Sequence, residues 1–97
     1  MYQNRTPLKH IFLLYTCDEH CSTHTQRLIM ATTSQQKLIS KISKLIEIED
    51  LDYNNSEWSR DIQIKEFKKD FVQCARTEIN SKLKYGFFDY CYDGEEI

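Results

Sequence analysis

Glycine and proline are scarce in this chain, with two glycines and one proline among 97 residues. Because these residues most often mark turns, their scarcity favours long helices and strands over a loop-rich fold. Long apolar runs are missing as well. The longest, Ile11–Tyr15, is far below the ~20 residues of a membrane span and too short for a secretion signal. We therefore expect a cytoplasmic protein with no membrane contact, whose four cysteines stay reduced.

A basic excess is also absent. The 13 Lys and Arg residues and 15 Asp and Glu residues give a net charge of −2, which argues against direct nucleic-acid binding, since phosphate contacts usually require positive charge. The charges are nevertheless segregated: residues 47–57 and 86–97 contain acids but no Lys or Arg, whereas residues 58–85 hold seven bases and four acids. With 40% hydrophobic residues, the composition is that of one folded domain over residues 1–97.

Apolar alternation predicts three strands, at residues 10–16, 26–32 and 87–92, the first two joined by a polar hairpin tip. Both alternating sets of the first strand are apolar, which favours a central place in the sheet. With two helices before the last strand, the order β-β-α-α-β predicts a two-layer α+β fold, a three-stranded sheet with both helices on one face. Two consecutive helices would return the chain to the end of the sheet where the first helix begins. The last strand is therefore expected to run parallel to the first strand.

Helical spacing predicts the two helices. The first begins at Thr33 or Ser34, and Thr33 with Gln36 has the spacing of a capping box. Its apolar stripe consists of Leu38, Ile39, Ile42, Leu45 and Ile46. The second, longer helix is expected from about residue 60 to residue 83, with Gly86 as its C-terminal cap.

The densest group of reactive side chains lies in the predicted hairpin tip. Residues 17–24 hold two of the four cysteines, two of the three histidines, and the acids Asp18 and Glu19. Zinc prefers thiolate and imidazole ligands, although most structural zinc sites join two ligand pairs about a dozen residues apart. A variant of the site takes two ligands from the tip and a third, Cys91, from the last strand. The candidate zinc ligands in the tip are Cys17, His20, Cys21 and His24.

A cysteine nucleophile with a histidine base is another interpretation of the same residues, because a reactive thiolate needs a nearby base. Asp18 and Glu19 oppose it, since adjacent negative charge raises the pKa of a thiol. The sequence contains no nucleophile elbow, phosphate-binding glycine loop or metalloprotease motif. We therefore expect no enzymatic activity and no required cofactor.

Five of the twelve aromatic residues fall within residues 85–92. One alternating set must pack beneath the helices, so the other set is left on the open face, where it would form an interaction surface. A free sheet edge would permit strand addition or a homodimer. The acids near Trp58 suit a basic groove on a partner protein. The predicted partner contacts are Glu47, Glu49, Asp50, Asp52, Glu57, Trp58, Tyr90 and Tyr92.

Three segments carry a resemblance to known proteins: an apolar strand ending in Cys-Asp-Glu (12–19), a Thr/Ser-capped helix (33–46), and a Tyr-Gly-aromatic strand with Asp-Gly-Glu-Glu (85–96). In these segments the chain resembles a loose group of short uncharacterised proteins from bacterial phages, plasmids and other mobile elements. That group tends to have an aromatic residue where this chain has His20, so the resemblance does not imply a shared metal site. It implies a mobile-element genetic context, in which small proteins often block host defence nucleases, as anti-CRISPR proteins do.

The sequence thus predicts a small non-enzymatic protein-interaction module. In its most specific form, this is a mobile-element inhibitor that docks on a basic nucleic-acid-binding groove of a host complex. The alternative is a small zinc-binding domain built on residues 17–24, and the third interpretation is a thiol enzyme.

Overall fold

The computed structural model describes residues 10–92, which form an α+β arrangement and confirm the predicted class. No helix within that range is long and apolar enough to cross a membrane. The described residues form three α-helices and five strands, where two and three were expected. In chain order the elements are β1 (His10–Thr16), β2 (Arg27–Thr32), α1 (Gln35–Glu47), β3 (Asp52–Tyr53), α2 (Arg60–Gln73), α3 (Arg76–Lys82), β4 (Leu83–Lys84) and β5 (Gly86–Tyr92).

The main sheet has the strand order β2-β1-β5, and β3 and β4 form a short second sheet. β1 is central, as its two apolar sets predicted. Both neighbours run antiparallel to it, with Leu14 opposite Met30 on one side and opposite Phe88 on the other. The expected parallel direction of the first and last strands is therefore wrong.

A break in the predicted long helix explains the reversed direction of β5. Cys74 has an extended backbone (φ −115°, ψ 157°), which ends α2, and α3 begins at Arg76. The chain thus makes three helical passes between β2 and β5 instead of two. An odd number of passes brings it to the end of the sheet where β1 finishes. Gly86 pairs there with Thr16, so β5 runs antiparallel to β1.

Helix α1 follows the predicted apolar stripe. Its cap is Ser34, whose Oγ accepts a hydrogen bond from the Lys37 N–H at 3.1 Å, so the expected capping box one residue earlier is not the cap that forms. Residues of all three helices share one core with Leu14 of β1 and Phe88 of β5, so the helices cover the face of the sheet that carries these two residues. The buried apolar helix residues are Leu38, Ile42, Leu45, Ile46, Phe67 and Ile79.

Gly86 opens β5 and does not cap a helix as predicted. A Cβ atom at this position would lie 2.7 Å from Leu51 Cδ2 and 2.7 Å from the Tyr15 carbonyl oxygen. Because the second contact is a backbone atom of the paired strand, no side-chain rotation relieves it. The preceding residue, Tyr85, has a left-handed backbone (φ 72°) and makes the turn from β4 into β5.

We expect Gly86→Ala to lower the free energy of unfolding by about 1–3 kcal/mol, because the strands must separate to admit the methyl group. Lys84→Ala, at an exposed position two residues earlier, should change it by less than about 0.5 kcal/mol. Urea titration followed by Trp58 fluorescence measures both values. Equal stability of the two variants would contradict the close-contact explanation.

A buried polar network joins β3 to α2 and α3. Tyr53 is fully buried, and its hydroxyl donates to Asp70 Oδ2 at 2.7 Å, where Lys82 Nζ also donates at 3.1 Å. The hydrogen bond from Tyr53, supported by the one from Lys82, holds the pKa of Asp70 below its usual range. Gln63, also fully buried, accepts the Tyr53 N–H at 2.8 Å and donates to the Trp58 carbonyl at 2.9 Å. These buried polar groups are therefore paired with one another.

Asp70→Asn should cost about 1–3 kcal/mol of unfolding free energy at pH 7, because Lys82 and Tyr53 lose a charged acceptor. The pKa of Asp70 in the folded protein lies below its unfolded value of about 3.9. Its contribution to the free energy of unfolding is therefore complete above about pH 5 and is lost as the pH falls through the folded pKa. The difference in unfolding free energy between wild type and Asp70→Asn should therefore narrow as the pH falls below about 5 in denaturant titrations. Asp50→Asn, at an exposed position, is the control. A gap that does not change with pH would contradict the assigned ionisation.

Candidate interaction surface

The main sheet has a second face, turned away from the helices, and most of its side chains are apolar. Alternation along β1 puts Leu13 and Tyr15 on the side opposite buried Leu14. Ala31 of β2 pairs with Leu13, and Phe87 of β5 pairs with Tyr15. The buried core of the described residues includes none of these outward side chains. We define the outer face by its apolar residues: Ile11, Leu13, Tyr15, Leu28, Ile29, Ala31 and Phe87.

A bulge in β2 adds apolar surface to the outer face. The pairing register shifts between Leu14 and Tyr15, and Tyr15 pairs with Leu28, so Ile29 is the extra residue. Leu28 and Ile29 therefore stand side by side opposite Tyr15, and they are 53% and 38% exposed. Across the next strand pair, the Tyr15 and Phe87 rings stack with 4.9 Å between their centroids. Four large apolar side chains thus adjoin near the hairpin tip.

The two edges of the main sheet differ. At the β5 edge, Asn80 of α3 donates from Nδ2 to the Phe88 carbonyl at 2.7 Å and accepts the Phe88 N–H with Oδ1 at 3.0 Å. This side-chain amide occupies the outward backbone groups of Phe88, as a neighbouring strand would, and so blocks strand pairing at that residue. Within residues 10–92, β2 has β1 as its single strand neighbour, and its six residues carry one charge, at Arg27. An apolar edge of this kind is open to strand addition.

Tyr90, a predicted partner contact, does not lie on the outer face. It pairs with Phe12, whose ring it meets edge-on at 6.1 Å, and so lies at the margin of the helix-covered side. Arg76 lies over the Tyr90 ring, 5.3 Å from its centroid, and its Nη1 is 3.1 Å from Asp89 Oδ1. Tyr92 ends β5, and its side chain lies outside the described part of the structure. A partner contact at either tyrosine stays a prediction.

The acidic segment, residues 47–57, is built into the fold and is not a free loop. Two residues within it, Leu51 and Tyr53, are fully buried. Between them Asp52, a predicted partner contact, is paired with Arg60, whose Nη1 lies 2.9 Å from Asp52 Oδ1. Trp58, directly after the segment, is half-buried. The other predicted acids are exposed: Glu47, Glu49, Asp50 and Glu57.

A disulfide joins Cys17 and Cys21 in the hairpin tip, with their Cα atoms 4.7 Å apart, where reduced thiols were expected. The Cys17 N–H donates to the Tyr85 carbonyl at 3.0 Å, which anchors the tip to the start of β5. The tip, the acidic segment and the turn before β5 meet around a cleft of about 530 Å³. Its lining includes Glu19, His20, Cys21, Asp52, Lys84, Tyr85 and Phe87.

The predicted zinc ligands are close in sequence but do not form a cluster here. In the part of the chain that the structure describes, no three His, Cys, Asp or Glu side chains are grouped so as to hold a metal ion. The sulfur atoms of Cys17 and Cys21 are bonded to each other, whereas zinc takes free thiolates. His20 is exposed, and its Nε2 lies 3.4 Å from Glu19 Oε2. The side chain of Cys91 is outside the described part of the structure. Metal binding by a reduced tip stays a prediction.

The large apolar residues of the outer face were missed by sequence reasoning. Both alternating sets of β1 and β5 are apolar, so periodicity alone does not tell which set faces the helices. The neighbouring pair Leu28 and Ile29 was the available signal, since a regular strand sends adjacent side chains to opposite faces. The bulge that turns both outward depends on pairing with β1 and is not visible in the sequence pattern.

Comparison of the chain with models of protein families, with curated proteins and with solved structures found no match. The resemblance to mobile-element proteins therefore stays a prediction.

Asn80→Ala should leave the Phe88 N–H and carbonyl unpaired at the sheet edge and lower the free energy of unfolding by about 1–3 kcal/mol. Asn80→Asp keeps an acceptor for the N–H but sets a carboxylate against the Phe88 carbonyl, so a similar loss is expected. The control is Ser81→Ala, which removes a bond within the exposed surface of α3. Hydrogen exchange at the Phe88 amide, followed by NMR, measures the effect. Unchanged protection in Asn80→Ala would show that another group shields this edge.

Proposed function

We propose that the chain is a small non-enzymatic protein-interaction module that receives an extended apolar segment of a partner protein along β2 and the outer face. The observation that carries the proposal is that the open edge strand also bears the exposed side chains Leu28 and Ile29. An added strand would bond to the backbone of β2, and its alternate side chains would lie against the outer face.

The chemistry of this surface specifies the partner segment. Leu28 and Ile29 stand beside the open edge, where an aliphatic or aromatic side chain of the added strand would pack, and the stacked Tyr15 and Phe87 rings extend this apolar surface across β1 and β5. Arg27, the one charge of β2, lies at the start of the strand, so an acidic residue at the matching end of the segment would complete the contact. The partner is therefore an extended segment with apolar residues at alternate positions and an acid at one end.

A second contact is supported by the exposed acids Glu49, Asp50 and Glu57. Clustered carboxylates favour a basic surface on the partner, through faster association and better discrimination between partners. In the most specific form of the proposal, suggested by the resemblance, the partner is a host nucleic-acid-processing complex and the acids face its basic groove. The net charge of −2 argues against contact with the nucleic acid itself.

Replacing Leu28 and Ile29 by Asp should weaken partner binding at least about tenfold, because two apolar contacts are lost and charge is placed on the edge strand. The control is Val72→Asp, since Val72 lies on α2, is 73% exposed and likewise has an apolar side chain replaced by Asp. Partners captured from a host lysate are first identified by mass spectrometry. Isothermal titration calorimetry with the purified partner, and with a peptide of its extended segment, then measures the affinities.

The acidic contact is tested separately by Asp50→Lys with Glu57→Lys, leaving Asp52 in place because it pairs with Arg60. Equal affinity of wild type and the Leu28/Ile29 variant would overturn the proposed surface. Loss of binding in the lysine variant alone would assign the contact to the acidic segment.

Sedimentation of the wild-type protein by itself tests the homodimer expected from a free edge. A dimer that dissociates in the Leu28/Ile29 variant would replace the partner segment with a second copy of this chain.

A further inference from the structure

The turn that carries the tip disulfide is held by hydrogen bonds as well as by its sulfur atoms. Asp18 follows Cys17, and its Oδ1 accepts the backbone N–H groups of His20 at 3.1 Å and of Ser22 at 3.2 Å. The Asp18 carbonyl accepts the Cys21 N–H at 3.0 Å. Both cysteines therefore lie on a turn whose shape is specified by one carboxylate and one carbonyl of the same residue.

These hydrogen bonds do not involve sulfur, so we expect the two thiols to stay adjacent when the sulfur–sulfur bond opens. Cys17 is also fixed by its N–H bond to the Tyr85 carbonyl at 3.0 Å, and the Asp18 N–H donates to Thr25 Oγ1 at 3.3 Å. Thiols that are already positioned close the bond with a high effective concentration, because little conformational entropy is left to lose. The turn is thus suited to repeated opening and closing of the disulfide.

One of the two cysteines faces a route for a small molecule. Cys21 lines the cleft together with His20 and Tyr85, whereas Cys17, which is half-buried like Cys21, is not among the lining residues. The backbone of Cys21 is left-handed (φ 50°), a conformation that residues with a side chain seldom adopt. Because the cleft is lined by Cys21 and not by Cys17, we expect a thiol that enters it to meet Cys21 first.

We propose that Cys17 and Cys21 form a thiol–disulfide exchange site whose substrates are small thiols of the glutathione class. The small thiolate attacks the Cys21 sulfur, the Cys17 thiolate leaves, and a mixed disulfide forms at Cys21. A second small thiolate attacks the small-molecule sulfur of that mixed disulfide and releases the Cys21 thiolate and an oxidised small disulfide. Two electrons and two protons thus pass from two small thiols to the two cysteines, and the reverse reaction closes the turn again.

The test uses the full chain, equilibrated with a metal chelator in buffers of graded reduced-to-oxidised glutathione ratio, then quenched in acid and alkylated. Trypsin cleaves after Lys and Arg, so one peptide, residues 10–27, contains both tip cysteines and neither Cys74 nor Cys91. We expect mass spectrometry to show this peptide passing from the disulfide to the doubly alkylated form as the ratio rises. A glutathione adduct at Cys21 is expected at intermediate ratios, with the circular dichroism of the folded protein unchanged throughout.

Asp18→Ala should lower the equilibrium constant for disulfide closure by about three- to tenfold, because two exposed hydrogen bonds of the turn are lost. Asp18→Asn, which keeps an acceptor oxygen, should recover most of that loss. Glu19→Gln, at the neighbouring acid without these bonds, should differ from wild type by less than about twofold.

Three results would each overturn the proposal. The first is a peptide that stays doubly alkylated in the most oxidising buffer, which would show that no bond closes. The second is a disulfide that persists in the most reducing buffer until the protein is denatured, as a purely structural bond does. The third is equal closure in Asp18→Ala and Glu19→Gln, which would show that the turn contributes nothing to closure.

Discussion

The central strand β1 carries apolar side chains on both of its faces, and the rest of the structure must accommodate both. Phe12 and Leu14 lie toward the helices, and Leu14 is fully buried there. The opposite set, which includes Leu13 and Tyr15, lies on the outer face. A central position pairs the backbone of β1 on both sides, but helices on one side of a two-layer domain cover one face of the sheet. The apolar outer face, and with it the proposed interaction, follows from that constraint.

The break between α2 and α3 has two consequences for association. It adds a helical pass, so that β5 runs antiparallel to β1, and it brings Asn80 beside Phe88, where one amide pairs with both backbone groups of the edge residue. Sheet edges invite pairing with other chains unless they are covered, charged or interrupted. With Asn80 bonded to Phe88 on the β5 edge, β2 is the edge that is more open to the proposed strand addition. There the bulge at Ile29 places two neighbouring apolar side chains on the outer face beside the open edge.

The hairpin tip presents two chemical uses of the same sulfur atoms. Free thiolates of Cys17 and Cys21 would supply zinc ligands, whereas the disulfide that joins them here would be the substrate of the proposed thiol exchange. Asp18 organises the turn in either case, because its bonds to the backbone do not involve sulfur. The tip also adjoins the interaction surface, since Phe87 both lines the cleft beside Cys21 and stacks on Tyr15 of the outer face.

Local periodicity was enough to predict the α+β class, the stripe of α1 and the central place of β1, because side-chain direction within one helix or strand follows from its own geometry. It also located the tip where two cysteines meet. The helix end at Cys74, the clash that requires Gly86, the pairing of Asp52 with Arg60 and the choice of face in β5 were decided by tertiary structure. Each depends on residues that are distant in sequence and adjacent in space, such as Gly86 against the Tyr15 carbonyl, and no local pattern contains such contacts.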